Sequence, residues 1–96
     1  MTMVARWNGE TIAESDDTVV VEGNHYFPPE DVNRGNLVHS DTTSHCPWKG
    51  DAKYFSINAG GAMNQDAAWY YDAPYEKAAN IKDRIAFWKG VEVGEA

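Results

Sequence analysis

The pair Asn8-Gly9 constrains the fold of this chain more than any other feature. Asparagine and glycine tolerate the positive φ that both central residues of a two-residue hairpin turn require. Here they separate residues 4–7 from residues 10–14, two segments in which apolar and polar side chains alternate. Folding back at this point sets Ala5, Trp7 and Ile12 on one face. Similar punctuation occurs at Gly23-Asn24, between residues 18–22 and 25–27, and at Lys89-Gly90, between residues 84–88 and 91–93. The sequence therefore predicts antiparallel hairpins near both ends of the chain.

Between them the signals are mixed. Val19-Val20-Val21 carries apolar side chains on both faces, as a strand in the middle of a sheet would. Pro28-Pro29 stops that segment, and Pro29-Glu30-Asp31-Val32 reads as the proline-started, acidic first turn of a short helix ending near Gly35. A short strand is expected at residues 37–39 and a polar loop at residues 40–45. Residues 52–58 alternate, with Ala52, Tyr54 and Ser56 on one side and Lys53, Phe55 and Ile57 on the other. Gly60-Gly61 and Asn64-Gln65-Asp66 read as a flexible connection, residues 67–71 as an aromatic strand that Pro74 ends, and residues 76–80 as one helical turn. The fold class expected is mainly β: a compact single domain, residues 1–96, of about seven short antiparallel strands in a two-sheet sandwich, with one or two short helical turns.

Composition narrows the function. Ninety-six residues can bury one core but leave no room for a separate cofactor-binding half, so no cofactor is expected. Four Trp, five Tyr and three Phe supply large contact areas within a hydrophobic fraction of 43%. Eight Lys and Arg against fifteen Asp and Glu give a net charge of −7, which repels phosphate backbones and argues against nucleic acid as a partner. No apolar run approaches the roughly 20 residues that cross a bilayer, so no membrane partner is expected. One cysteine and the lack of an apolar leader point to the cytoplasm.

The segment Cys46-Pro47-Trp48-Lys49-Gly50 holds the densest chemistry. A thiol three residues from a lysine is either a reactive corner, because a cation favours the thiolate, or a small apolar group packed in a turn. Cys46 is thus the candidate catalytic residue, although a nucleophilic thiol needs a base. His45 points away in an extended segment, which leaves His25 or His39. Structural zinc needs about four ligands, usually paired at short spacing, and these residues lack that pattern, so no metal is expected. A domain this small rarely buries four indoles completely, so at least one of them should line a concave or contact surface. Lys49, an exposed or groove-lining ammonium held by Pro47 and Gly50, would orient an anion beside those rings. The candidate ligand-binding residues are Trp48, Lys49, Tyr54, Trp69 and Tyr71.

The order of these signals resembles the small bacterial family known as domain of unknown function 427, sometimes labelled nucleotidyltransferase-like. The resemblance is carried by Trp7-Asn8-Gly9 with Ile12-Ala13-Glu14-Ser15, by Tyr26-Phe27-Pro28 with Asp31-Val32, and by the run from Cys46 through Gly50-Asp51-Ala52-Lys53-Tyr54. Ala68-Trp69-Tyr70-Tyr71 with Pro74, then Ile81-Lys82 and Ala86-Phe87, complete it. It implies a compact β domain of tent-like type, two antiparallel sheets leaning together. Relatives with two copies in one chain make homodimerisation of a single copy worth considering. The nucleotidyltransferase label finds no support in the residues, since metal-dependent nucleotidyl transfer needs closely placed carboxylates and no Asp-x-Asp or Gly-Ser element occurs. Asp16-Asp17 and Glu30-Asp31 have structural explanations as turn and helix-start acids. Three functions remain open: binding of a small anionic or aromatic ligand, a protein-interaction or homodimerisation module, and a thiol-dependent enzyme using Cys46.

Overall fold

Asn8 and Gly9 take φ of 50° and 80° and close a tight hairpin between β1 (Met3–Trp7) and β2 (Glu10–Ser15). The computed structural model describes residues 1–96. It continues with β3 (Val19–Val21), β4 (Asn24–Tyr26), β5 (Leu37–Cys46), β6 (Gly50–Ala59), β7 (Ala62–Tyr70), β8 (Ile85–Phe87) and β9 (Glu92–Glu95). The helical content is confined to 3₁₀ turns at Pro29–Asp31, Arg34–Asn36 and Glu76–Ile81. Strand pairing is antiparallel throughout, in sheets of order β2-β1-β9, β5-β6-β7-β8 and β3-β4. The chain is mainly β, as its turn signals indicate.

The four-stranded sheet is covered on both faces, and its sequence alternation shows how. Ile57, Ala59, Ala67, Ala68, Ile85 and Phe87 pack with Met3, Ala5, Ile12 and Ala13 of the β1–β2 hairpin, so the two larger sheets enclose one core. Phe55 and Trp7 adjoin it. Ala52, Tyr54 and Trp69 belong to a second, smaller core on the opposite face, closed by Tyr26 from β4 and by Ala78 and Ile81. The sides assigned to residues 52–57 from alternation are those observed for Ala52, Tyr54, Phe55 and Ile57. Phe27 ties the small hairpin to the large sheet through Ile85, their amides exchanging bonds of 2.8 and 2.9 Å.

Several local expectations need correction. The second hairpin turns at Glu22-Gly23, φ 54° and 80°, not at Gly23-Asn24, because glycine takes the second central position as it does after Asn8. β3 is not in the middle of a sheet. It pairs only with β4, Val19 and Val21 lean on the smaller core, and Val20 is 55% exposed. The short helix after Pro28 is two separate 3₁₀ turns, since Val32 turns extended to bridge Ala13 between them.

Residues 40–45 are not a loop but the second half of β5, an edge strand whose outward polar side chains face water. Gly60-Gly61 is a tight turn joining β6 to β7, and Asn64-Gln65-Asp66 lies inside β7. Asp66 takes φ 57° at a bulge, where its carboxylate accepts from Ser40 Oγ (2.5 Å) and Thr42 Oγ1 (2.8 Å) and its amide donates to Ser56 Oγ (3.0 Å). Those hydroxyl bonds hold the Asp66 carboxyl below the usual carboxylate range. The turn Trp88-Lys89-Gly90-Val91 forms, with Val91 N–H donating to Trp88 O at 3.2 Å, but it does not close a hairpin. β8 pairs with β7 while β9 pairs with β1, so the turn carries the chain from one sheet to the other.

Candidate functional site

The outer face of the four-stranded sheet concentrates the aromatic residues. Pairing places Tyr54 opposite Trp69 and Trp69 opposite Ala86, so the three share that face. Tyr26 reaches over from β4, and its hydroxyl accepts from Trp69 Nε1 at 3.1 Å with the rings perpendicular and 6.1 Å apart. Trp88, the residue after β8, is kept beside β7 by its N–H bond to Ala67 O (2.9 Å); it meets Trp69 edge to face at 5.8 Å and donates from Nε1 to Asp66 O at 2.5 Å. Tyr71, just past β7, is held by a bridge to Lys82. A recess of about 200 Å³ opens among Lys49, Tyr54, Trp69, Tyr71 and Trp88.

Lys49 enters from the loop Pro47-Trp48-Lys49, closed by the Cys46–Gly50 pair at the ends of β5 and β6. Its carbonyl accepts from Tyr75 N–H at 2.9 Å, which fastens the loop to the chain after β7. The ammonium lies 5.4 Å from the Trp48 ring centre and 5.5 Å from that of Tyr71, and it donates to the Glu22 carboxylate at the tip of the β3–β4 hairpin. The Lys49 side chain is only 9% exposed, whereas that of Glu22 is 52% exposed.

Of the two settings expected for Lys49, exposed or groove-lining, the first is corrected: the side chain lines the recess but is buried and already paired with Glu22. Burial works against the charged ammonium, but the Glu22 hydrogen bond and the surrounding tyrosines outweigh it and keep the Lys49 pKa above its ordinary value. The same hydrogen bond holds Glu22 below the usual carboxylate range. Burial pushes the Tyr26 and Tyr71 hydroxyls up, so both stay protonated at neutral pH.

Of the ligand-binding candidates, Lys49, Tyr54, Trp69 and Tyr71 converge on the recess. Trp48 does not line it; it is 39% exposed and lies against the Lys49 ammonium. Trp88, Tyr26 and Glu22, which are not among those candidates, complete the arrangement. Trp88 carried a signal in its aromatic character before a turn. Glu22 carried none, because a hairpin-end acid is ordinarily a solvated one.

Cys46 is a free, half-buried thiol packed against the smaller core. The histidines bond to other partners, each through one ring nitrogen: His45 Nδ1 with Asp51 at 2.7 Å, His39 Nε2 with Asp41 at 2.9 Å and His25 Nδ1 with Thr18 at 2.9 Å. Cys46→Ser should cost about 1 kcal/mol, because it places a hydroxyl against apolar neighbours. Urea denaturation of both proteins checks this, and a serine variant of unchanged stability that lost a measurable reaction would restore the nucleophile.

No curated protein matches the chain. The model of the family described as Domain of unknown function (DUF427) matches residues 1–95, nearly the whole length, and the chain belongs to that family.

Proposed function

We propose that the domain binds a small ligand with a flat, apolar body in the recess bounded by Lys49, Tyr54, Trp69, Tyr71 and Trp88. The observation that supports this is the lining itself, four aromatic side chains and one lysine around about 200 Å³. Aromatic walls favour a planar guest through edge and face contacts, and the wall is firm because Trp69 and Trp88 are each held by their own N–H bond. Catalysis is not part of the proposal.

Trp88→Ala separates this reading from a purely structural one. Trp88 is 45% exposed, so its removal should leave the fold in place. Binding of small aromatic probes such as indole and benzamide, followed by calorimetry, should weaken by about 1 to 2 kcal/mol, roughly five- to thirtyfold. Equal affinity in both proteins would remove Trp88 from the site. No binding by the wild-type chain would overturn the proposal. In that event the half-exposed Trp48, Tyr75 and Trp88 favour a contact surface for a partner or a second copy, which a concentration-dependent rise in hydrodynamic mass would reveal.

A further inference from the structure

The pair at the edge of the recess is unequal. Lys49 is fixed: its ammonium sits between Trp48 and Tyr71, and its backbone carbonyl is tied to Tyr75. Glu22 is not. Its side chain is half exposed, it stands at the turn of a two-stranded hairpin, and its backbone holds φ 54° where a non-glycine residue is strained. Lys49 is also the one charged residue of the recess lining.

If Glu22 swings into water, it is rehydrated at little cost. Lys49 is then a buried ammonium without a counter-ion, an expensive state that a new anion relieves. We infer that Glu22 is a displaceable internal stand-in for a ligand carboxylate, and that the ligand of this recess is a small aromatic carboxylic acid whose anionic group takes the place of Glu22 on Lys49. The inference rests on the recess being the ligand site. A single carboxylate suits a single lysine better than a phosphate dianion, because a second negative charge would find no further cation in a lining whose other members are aromatic. The exchange moves no covalent bond. One carboxylate leaves the ammonium and another arrives, so the net charge at Lys49 is preserved. Glu22 thereby sets a threshold: neutral aromatics enter without touching it, and only an acid that outcompetes it binds fully.

The test uses benzoate and its uncharged counterpart benzamide against the wild-type chain, Glu22→Gln and Glu22→Gly, by calorimetric titration. Glu22→Gly removes the competitor and also suits the positive φ of the turn, so the hairpin should survive, while Glu22→Gln keeps a hydrogen-bond acceptor on Lys49. Benzoate should bind roughly ten- to a hundredfold tighter to Glu22→Gly than to wild type, with Glu22→Gln between them and benzamide unchanged in all three. Benzoate affinity unchanged or lower in both variants, with benzamide still binding, would overturn the exchange while leaving the recess a ligand site. Failure of both probes to bind any of the three proteins would remove the recess as a site, and the exchange with it.

Discussion

Phe27→Ala should destabilise the domain by about 3 to 5 kcal/mol, the range for deleting a fully buried phenylalanine. Phe27 is 0% exposed, and its ring meets Phe87 edge to face at 5.5 Å. Its backbone exchanges both bonds with Ile85, so the residue sits where the small hairpin joins the large sheet. A cavity there is walled by strands from both sides, which cannot close over it without giving up that register. Domains of this size hold only about 5 to 15 kcal/mol in total, so the loss is a large share of the whole. Urea denaturation followed by circular dichroism measures it. A loss under about 1 kcal/mol would show that the hairpin is docked by something other than this ring. Phe27→Leu, which refills most of the space, should cost clearly less.

The parts of the fold legible in the sequence are those decided by neighbours in the chain. Asn8-Gly9 announced its turn because the two φ values are properties of those residues. Ala52, Tyr54, Phe55 and Ile57 announced their faces because a strand alternates whatever lies beyond it. What stayed hidden depends on partners far away. Residues 40–45 of β5 read as a loop because an edge strand with water beside it needs no apolar alternation. Lys89-Gly90 made its turn, yet nothing local records that Phe87 stays with β7 while Val93 crosses to β1. Val19-Val20-Val21 looked central because the run is uniformly apolar, although Val20 faces solvent.

The candidate site follows the same division. Lys49 and Trp69 were visible as a cation in a stiffened turn and an indole in a strand, and their convergence follows from the pairing of β6 with β7 and the return of the 46–50 turn over it. The counter-ion was not visible. Glu22 and Lys49 are 27 residues apart, and only the docking of the small hairpin through Phe27 and Tyr26 brings them together. Burial of a lysine is therefore a tertiary property here, arising where a turn near one end of the chain covers a turn near its middle.

Gly60→Ala should cost about 2 to 4 kcal/mol, most of it steric. Gly60 takes φ 58°, and a methyl group added there would stand 2.5 Å from Asn8 Nδ2 and 2.7 Å from the Asn8 carbonyl oxygen. The second neighbour is backbone, so no side-chain rotation relieves the clash. These contacts are close because the two turns are bonded to each other. Asn8 Nδ2 donates to Ala59 O at 3.0 Å and Gly60 O at 3.3 Å, and Gly60 N–H donates to the Glu10 carboxylate. Forcing a methyl between them separates the β1–β2 turn from the β6–β7 turn and opens one end of the core shared by the two large sheets. Gly61→Ala is the control: Gly61 also has positive φ, at 77°, but a methyl there meets nothing within 4 Å. It should cost only about 1 kcal/mol, the conformational part alone. Thermal and urea unfolding of the two variants side by side gives the difference, and equal losses would mean that contact with the Asn8 turn does not hold the sheets together.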